Sequence, residues 1–281
     1  MDFPEIALLI SLSFAVLALT VLAIWVFLTA PRVPSRCTEK YKTTYYAHRG
    51  LHGNGAVENS LTAFARAVDA GFGIELDIRL SASGELVVFH DDSLNRVCGV
   101  DKKVIDLTLD ELRTIRLSGT EDTVPSFSEV LELVDGRVPL LIEIKLYLDE
   151  SGVAERFLEE IKDYKGEYIV ESFTPWALKT VRRARPDIPL GMLSAAYMKE
   201  EKYRGHIGYR FLERLRFNFF ARPDFIAYRS TDSEVLALRL LRKIYHVPTF
   251  AWTVKSREEE IEARKCGFDT VIFENYIPDK N

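Results

Sequence analysis

The pattern of apolar and polar positions divides the chain into two unequal parts. From residue 6 to residue 30 the sequence has no charged side chain and consists mainly of Leu, Ala, Val, Ile and Phe. A helix of about 20 such residues is long enough to cross the hydrocarbon layer of a bilayer. We therefore predict a transmembrane helix within residues 1–30, followed by a polar linker with two prolines over residues 31–43.

The flanks of this apolar run bear on its nature and orientation. A cleaved signal peptide is the alternative, but it would need a basic start, and the chain begins Met-Asp-Phe-Pro-Glu. Two acidic residues precede the run, whereas four cations follow it: Arg32, Arg36, Lys40 and Lys42. Because cationic flanks stay on the cytoplasmic side, we expect the rest of the chain to face the cytoplasm.

Beyond residue 43, short β-rich apolar runs alternate with longer segments of helical periodicity. The predicted strands are residues 45–48, 74–77, 140–144, 168–172, 189–193, 224–228, 248–252 and 270–273. The predicted helices include residues 60–70, 151–164, 175–184, 233–245 and 256–265. This alternation indicates parallel βαβ units, and eight strands over about 240 residues fit one (β/α)₈ TIM barrel spanning residues 44–281. An open doubly wound sheet is the alternative.

One further apolar run, residues 86–90, does not fit this alternation. Only about eight residues separate it from Asp77, too few for the helical crossover that parallel strands need. We predict a β-hairpin inserted after the second strand, turning at Ser83 and Gly84, because glycine tolerates the positive φ of tight turns. In that register His90 lies opposite Asp77.

Charge and cysteine content narrow the possible functions. The net charge of −5 and the pI near 5.7 give no basic face for nucleic acid. Cys37, Cys98 and Cys266 are few, odd in number and far apart, so we expect neither a disulfide framework nor a zinc site. Free thiols favour a reducing compartment, which agrees with the predicted orientation. The sequence indicates no protein partner.

Ionisable residues collect at the C-terminal ends of the predicted strands, where TIM barrels place their reactive groups. They are His48 and Arg49 after the first strand, Glu75 and Asp77 in the second, and Glu143 and Lys145 in the third. Glu75 and Asp77 share one face of their strand, and Glu143 and Lys145 share one face of theirs, because side chains alternate along a strand. Charges within apolar strands are costly to bury unless they are paired or bind a metal.

The carboxylates of Glu75, Asp77 and Glu143 form a hard-oxygen pocket suited to one divalent cation, Mg²⁺ or Ca²⁺. Zinc is less suitable, because no cysteine lies nearby and the histidines serve in proton transfer. A single Glu-x-Asp pair on a strand is more often a structural ion pair. The joint arrangement at three strand ends is what favours the functional interpretation.

Two histidines and two cations complete a candidate site for phosphate esters. His48 and His90 can act as general base and general acid, since the pKa of histidine lies near neutrality. Arg49 offers a bidentate fork to a phosphate and Lys145 a point charge. Taken alone, Lys145 has a second interpretation, which is neutralisation of Glu143. We assign no functional role to the other histidines, His52, His206 and His246.

Several motifs occur in a fixed order along the chain. They are AHRG (47–50), ENSLTAF (58–64), IELD (74–77), LVVFHD (86–91), PSF and EVL (125–131), IEIK (142–145), ESF (171–173) and WTV (252–254). In order and spacing they resemble the motifs of the glycerophosphodiester phosphodiesterase family. The resemblance covers essentially everything from Tyr45 to the C-terminus.

The resemblance implies a TIM barrel that hydrolyses a glycerophosphodiester to glycerol 3-phosphate and an alcohol. It implies that the glycerol hydroxyl next to the phosphate attacks first and that water then opens the cyclic phosphate. By position it implies an acid–base pair (His48, His90), metal ligands (Glu75, Asp77, Glu143), phosphate contacts (Arg49, Lys145), a carboxylate near the metal or in its second shell (Glu58) and a substrate contact (Trp252). Asp91 is expected to orient a neighbour or form a turn.

Three positions depart from the family's usual pattern. Val57 stands where the family usually has proline, Glu171 where it often has glutamine, and Phe273-Glu274-Asn275-Tyr276 where it has Thr-Asp-x-Pro. None of these removes a catalytic group, but they leave the headgroup open. One alternative is phospholipase D-type cleavage of lysophospholipids on the same site. The other is a non-catalytic, membrane-tethered module that binds phosphate or lipid.

A long connection over residues 197–222 interleaves aromatic and cationic residues. From Tyr209 onward, Phe211, Leu212, Leu215 and Phe219 recur at helical spacing and predict an amphipathic helix. We expect its apolar stripe to pack on the barrel. The alternative is a helix that lies on an anionic leaflet, with its rings at the acyl boundary.

Overall fold

One nine-stranded sheet frames the computed structural model, which describes residues 3–146 and 152–279. Its strands are β1 (Tyr46–Ala47), β2 (Gly73–Leu80), β3 (Leu86–Val88), β4 (Leu140–Ile144), β5 (Tyr168–Ser172), β6 (Leu190–Ser194), β7 (Phe225–Arg229), β8 (Thr249–Val254) and β9 (Thr270–Phe273). All but β3 are parallel, and β1 pairs with both β2 and β9, which closes a barrel. The predicted TIM barrel is confirmed, and the open sheet is wrong because first and last strands pair.

Helices precede and connect the strands of this barrel. They are α2 (Glu39–Thr43), α3 (Leu61–Asp69), α4 (Asn95–Cys98), α5 (Leu109–Leu112), α6 (Phe127–Val134), α7 (Val153–Glu160), α8 (Pro175–Ala184), α9 (Ile207–Glu213), α10 (Leu236–Tyr245) and α11 (Arg257–Lys265), after the N-terminal α1 (Phe3–Thr29). The eight predicted barrel strands all occur, and those over residues 140–144, 168–172 and 270–273 have the predicted ends, as does the helix over residues 175–184. The other strands and the remaining four listed helices have ends shifted by up to a few residues. The predicted helix start at residue 151 lies outside the described residues.

Strand alternation produces two layers inside the barrel. The lower layer is apolar and includes Leu141, Ile169 and Phe225, which belong to one buried cluster. Two residues further along β4 and β5, the same face carries Glu143 and Glu171. Acidic groups therefore sit above an apolar plug, at the C-terminal end of the barrel where such folds perform chemistry.

The hairpin inserted after β2 is present, but its predicted register is wrong by one residue. The backbone N–H of Ser81 donates to the carbonyl of Glu85 at 3.0 Å, so the turn holds three residues rather than two. Phe89 consequently lies opposite Asp77, with its N–H 3.0 Å from the Asp77 carbonyl oxygen. His90 comes one residue beyond that pair.

The N-terminal helix α1 is 27 residues long, has a mean hydropathy of 2.7 in its most apolar window and buries none of that window. Within the described residues it is the one helix long and apolar enough to cross a membrane, although a signal sequence has the same properties. The segment after it lies against the barrel. The backbone N–H of Arg32 donates to the carbonyl of Pro223, and that of Arg36 donates to Oδ1 of Asp224.

The connection over residues 197–222 does not form the predicted helix through Phe219. It contains 3-10 turns at Tyr197–Lys199, Glu201–Tyr203 and Asn218–Phe220, and α9 ends at Glu213. Leu215 adopts a left-handed backbone with φ of 54° and is fully buried. The change of chain direction there interrupts the helical periodicity while burying the side chain of Leu215. The predicted packing on the barrel therefore holds for Leu215, but α9 buries none of its own residues.

Candidate active site

The three predicted metal ligands meet at the top of the barrel. Glu75 and Asp77 lie on one face of β2, and Asp77 is the register partner of Glu143 on β4. All three side chains are buried. Each offers a carboxylate oxygen, and the three oxygens lie within 4.8 Å of one another. Such a set of hard oxygen donors fits a single divalent cation.

The charges in this cluster are only partly balanced. Lys145 places Nζ 2.7 Å from Oε2 of Glu143 and 3.0 Å from Oδ1 of Asp77. Burial and the neighbouring charges of Asp77 and Glu143 raise the pKa of Glu75 well above its usual value. Burial alone would also raise the pKa of Asp77, but the charges of Lys145, His90 and Arg49 and the hydrogen bond from Asn59 together outweigh it and hold that pKa well below its usual value. The three carboxylates outnumber the ammonium group of Lys145, so they repel one another. A bound cation would relieve this repulsion.

His48 follows β1 and is held from two sides. Its Nδ1 lies 2.7 Å from Oε2 of Glu274, and its Nε2 lies 4.0 Å from Oε2 of Glu75. Because an ionised carboxylate only accepts hydrogen bonds, we place the proton on Nδ1, which leaves Nε2 free. Burial lowers the pKa of His48 to about 4, against the opposing hydrogen bond with Glu274. His48 is thus a neutral imidazole at neutral pH, as a general base must be.

The tight turn after His48 orients Arg49 toward the cluster. Arg49 has a φ of 55°, and its backbone N–H donates to Oε2 of Glu75 at 2.9 Å. Gly50 follows with a φ of 80°. A Cβ at this position would lie 2.9 Å from the ring of Phe64 and 3.0 Å from the backbone of Ala63, so glycine is required.

Glu58 lies beside the cluster but is bound by two arginines. Arg49 donates from Nη1 to its Oε1 at 2.6 Å, and Arg96 donates to both of its oxygens at 2.6 and 2.8 Å. Burial alone would raise the pKa of Glu58, but Arg96 and Arg49 together lower it to about 2. The ionised Glu58 thereby holds Arg49, whose Nε lies 3.6 Å from Oδ2 of Asp77.

His90 reaches the site from the hairpin. Its Nδ1 lies 2.6 Å from Oδ1 of Asp91, and its backbone carbonyl accepts two hydrogen bonds from the guanidinium of Arg79. Burial raises the pKa of Asp91, but hydrogen bonds with His90 and Arg96 outweigh it and hold that pKa below its usual range. These contacts agree with the expectation that Asp91 orients a neighbour. The one-residue error in register leaves His90 in the same cavity as Glu143.

A cavity of about 830 Å³ opens above the carboxylates, and His90, Glu143 and Lys145 line it. Trp252 on β8 also lines this cavity; its ring packs edge-on against Phe173 with centroids 5.4 Å apart. Another cavity, of about 870 Å³, lies at the opposite end of the barrel beside Gly73 and Ile261. The predicted chemistry therefore belongs to the cavity at the C-terminal end of the strands.

The sequence analysis placed Glu274 at a strand end that departs from the family pattern but gave it no role in the site. Glu274 accepts a hydrogen bond from His48, lies 3.7 Å from Nε2 of His52 and pairs with Nζ of Lys255 at 2.8 Å. His48, His52 and Glu274 also form a second group whose potential ligand atoms lie within 4.8 Å of one another. The position of Glu274 directly after β9, at a strand end, was the available signal.

Asn59 and Glu171 were likewise given no role in the site by the sequence analysis. Asn59 donates from Nδ2 to Oδ2 of Asp77 at 2.8 Å, from a left-handed backbone with φ of 56°. Glu171 is 1% exposed and is the register partner of Glu143. Burial, Glu75 and Glu143 raise the pKa of Glu171 well above its usual value. A neutral carboxyl resembles in size and polarity the glutamine that the family often has at this position.

Comparisons with known proteins support the resemblance. The model of the Glycerophosphoryl diester phosphodiesterase family matches residues 48–277. A glycerophosphodiester phosphodiesterase of Caldanaerobacter subterraneus subsp. tengcongensis is 30% identical over 82% of this chain and 93% of its own. Lysophospholipase D GDPD1 of Rattus norvegicus is 30% identical over 48% of this chain and 46% of its own.

A solved structure agrees with these sequence relationships. The crystal structure of a glycerophosphodiester phosphodiesterase from Thermotoga maritima is 29% identical and superposes with a TM-score of 0.61, covering 82% of this chain and 94% of its own. Both the family model and the Caldanaerobacter enzyme span most of the chain. This protein therefore belongs to the glycerophosphoryl diester phosphodiesterase family.

Proposed function

We propose that this site hydrolyses glycerophosphodiesters to glycerol 3-phosphate and an alcohol, using one divalent cation and two histidines. The observation that carries the proposal is the buried cluster of Glu75, Asp77 and Glu143, whose oxygens lie within 4.8 Å of one another and whose Glu143 lines the cavity at the C-terminal end of the strands. His48 adjoins the same cluster, and His90 lines the same cavity. Metal ligands and proton-transfer groups on one cavity are what phosphodiester cleavage requires.

Glu75, Asp77 and Glu143 would hold the cation, Mg²⁺ or Ca²⁺. When bound, the cation supplies positive charge that stabilises the phosphoryl oxygens as negative charge develops on them. Glu58 serves indirectly, because its carboxylate is occupied by Arg49 and Arg96. This assignment gives the three strand carboxylates the role of ligands and Glu58 the role of a support.

The two histidines would divide the proton transfers between them. His48, kept neutral by burial, takes the proton from the hydroxyl next to the phosphate as its oxygen bonds to phosphorus. The bond from phosphorus to the headgroup oxygen breaks, and His90, oriented by Asp91, gives that oxygen a proton. Water then opens the cyclic phosphate, with the proton transfers reversed.

Two cations and one aromatic ring would bind the substrate. Half-buried Arg49 and buried Lys145 both lie near the carboxylates, where they would contact the phosphate oxygens directly. Trp252 lies in the wall of the cavity and would contact the organic part of the substrate. Arg49 and Lys145 would therefore share the phosphate with the cation, whereas Trp252 would recognise the organic part.

We further infer that the protein is a single-pass membrane protein. The exposed apolar helix α1 supports residues 1–30 as the anchor, residues 31–43 as the connection and residues 44–281 as the catalytic domain. The cations after the helix favour a catalytic domain in the cytoplasm. In sealed, right-side-out vesicles we expect the catalytic domain to be protected from protease, and we expect permeabilisation to remove that protection.

The direct test is choline release from glycerophosphocholine by the full-length protein, with and without EDTA. We expect turnover that EDTA abolishes and that Mg²⁺ or Ca²⁺ restores. Turnover that persists after complete removal of divalent cations would contradict the metal assignment. No turnover with either cation, on a panel of glycerophosphodiesters with different headgroups, would contradict the proposed activity.

A second candidate function is phospholipase D-type cleavage of lysophospholipids on the same site. The similarity to a lysophospholipase D of Rattus norvegicus favours it, as does the run of aromatic side chains along the cavity. Comparison of soluble glycerophosphodiesters with lysophospholipids in the same assay separates the two. A higher kcat/KM for the lipid would favour this candidate.

A further inference from the structure

The cavity above the carboxylates has two chemically different halves. The inner half holds charged groups, among them His90, Glu143 and Lys145. The outer half is lined by aromatic and aliphatic side chains, of which Trp176 is 52% and Ile207 73% exposed. A diester with a small polar headgroup has no apolar group that could cover the exposed side chains of the outer half. A substrate with an apolar group would bury it and gain affinity.

A continuous series of ring contacts joins the outer half to α1. Phe217 packs on Trp176 and Trp176 on Phe220, with centroids 5.9 and 4.4 Å apart. Phe220 contacts Phe219 at 4.1 Å, and Phe219 stacks on Phe27 at 5.7 Å. Phe27 lies in the last turn of α1. The mouth of the cavity is therefore beside the end of the proposed membrane-spanning helix.

Polar contacts fix this junction. Buried Asn218 donates from Nδ2 to the carbonyl of Thr29 at 2.7 Å. Arg222 donates from Nη1 to the carbonyls of Phe27 and Ala30 at 2.8 and 3.1 Å. The last carbonyls of a helix lack partners within the helix, so these bonds cap α1 with the barrel itself. The cavity mouth thus keeps one orientation relative to α1.

Cationic side chains accompany the rings at this junction. Nζ of Lys179 lies 5.2 Å from the ring of Phe220, and the guanidinium of Arg216 lies 5.3 Å from the ring of Phe211. Rings together with cations next to a membrane-spanning helix are typical of the headgroup region of a bilayer. With α1 as the proposed membrane anchor, this arrangement fits a mouth at the level of the lipid headgroups.

We propose that the outer half of the cavity binds the acyl chain of a single-chain phosphodiester lipid, which enters from the bilayer past Trp176, Ile207 and Phe217. The inference rests on the proposed phosphodiesterase activity and names the substrate class of that site. The phosphate lies on the inner, charged half. The acyl chain follows the apolar wall toward the membrane end of the molecule.

The chemistry of the site restricts the lipid to one acyl chain. The reaction needs a free hydroxyl on the carbon next to the phosphate ester, since its oxygen forms the new bond to phosphorus while the headgroup alcohol leaves. A 1-acyl lysophospholipid has that hydroxyl, whereas a diacyl phospholipid has it esterified. With lysophosphatidylcholine, one water is consumed and the products are lysophosphatidate and choline.

The test compares choline release by the full-length protein in phosphatidylcholine vesicles from glycerophosphocholine, hexanoyl- and dodecanoyl-lysophosphatidylcholine. Each methylene that leaves water is worth roughly fourfold in affinity, so kcat/KM should rise with chain length. We expect Trp176→Ala and Ile207→Ser each to reduce the kcat/KM ratio of dodecanoyl substrate to glycerophosphocholine by about tenfold. The matched control is Ile261→Ser, an exposed isoleucine at the opposite end of the barrel, which should leave the ratio unchanged.

The outcomes separate this inference from the proposed activity. Glycerophosphocholine turnover without any preference for the longer chain would overturn the acyl site and leave the phosphodiesterase intact. Equal losses on all substrates in the Trp176 and Ile207 variants would overturn it as well. No choline release from any of the substrates would contradict the proposed activity, and this inference with it.

A measurement without turnover tests the location of the mouth. In full-length protein that carries Trp25→Phe, vesicles with brominated acyl chains should quench the emission of Trp176. A second variant that adds Trp176→Phe should lose that quenching, leaving only Trp252 inside the cavity. Equal quenching of both proteins would place Trp176 away from the bilayer and overturn the proposed route.

Discussion

The cavity has a charged floor (Glu75, Asp77, Glu143 and Lys145) and an aromatic wall, and the two are built in different ways. The floor consists of side chains on neighbouring strands, held in register by backbone pairing between β2, β4 and β5. The wall combines Trp176 on α8 and Trp252 on β8 with the connection over residues 197–222, which has short turns and one seven-residue helix. On the proposed function, the reaction would depend on the regular frame of the barrel, whereas selection of the substrate would depend in part on an irregular connection tied to α1.

The largest expected effect is on the floor. We predict that Glu75→Gln abolishes turnover without lowering Tm, because the change removes one of three mutually repelling buried carboxylates. The measurements are turnover in the presence of Mg²⁺ or Ca²⁺ and thermal unfolding in EDTA. Glu121→Gln, at a highly exposed glutamate, is the control and should alter neither. Retained activity in the Glu75 variant would show that the floor is not a metal site.

The two histidines come next in size of effect. His48→Ala and His90→Ala should each lower kcat by roughly 10²–10⁴-fold, the range for loss of a positioned proton-transfer group. His246→Ala, at the exposed C-terminal end of α10, is the matched control. If either site variant turned over like the control, that histidine would have no part in proton transfer.

Smaller effects are expected for the carboxylates that orient these histidines. Glu274→Gln and Asp91→Asn should lower kcat by roughly 10–100-fold with little change in KM, as for other partners that orient a histidine. We expect the larger loss for Glu274, which contacts His48, His52 and Lys255. A rise in KM at constant kcat would instead place these carboxylates in substrate binding.

The smallest effect concerns the tie between the wall and α1. Arg222→Ala removes two hydrogen bonds to the end of α1, at the carbonyls of Phe27 and Ala30. We predict about a threefold loss of kcat/KM for dodecanoyl-lysophosphatidylcholine, the size of one or two modest hydrogen bonds, and none for glycerophosphocholine. Equal losses on both substrates would mean that the junction supports the barrel as a whole.

The floor was largely predictable from the sequence, because its rules are regular. Alternation along a strand places Glu75 and Asp77 on one face, and the barrel fold brings strand ends together. The hairpin register was less accessible, since the apolar pattern indicates a turn but not whether it holds two or three residues. Placing Phe89 rather than His90 opposite Asp77 follows from that one residue.

The supporting contacts were the least predictable part. Glu274 is 226 residues from His48 along the chain, and no local pattern links them. The helical spacing from Phe211 to Phe219 was misleading, because the left-handed backbone at Leu215 cannot be read from an apolar pattern. Contacts between distant segments and single unusual backbone angles depend on tertiary packing, which periodicity does not describe.

The central claim is that the strand carboxylates make this chain a phosphodiesterase. The most direct test follows glycerophosphocholine by ³¹P NMR with wild-type protein and Glu75→Gln side by side, in the presence of Mg²⁺ or Ca²⁺. We predict that the resonance of glycerol 3-phosphate grows only with the wild-type protein. Its absence from the wild-type reaction with both cations, or equal growth with the variant, would contradict the account.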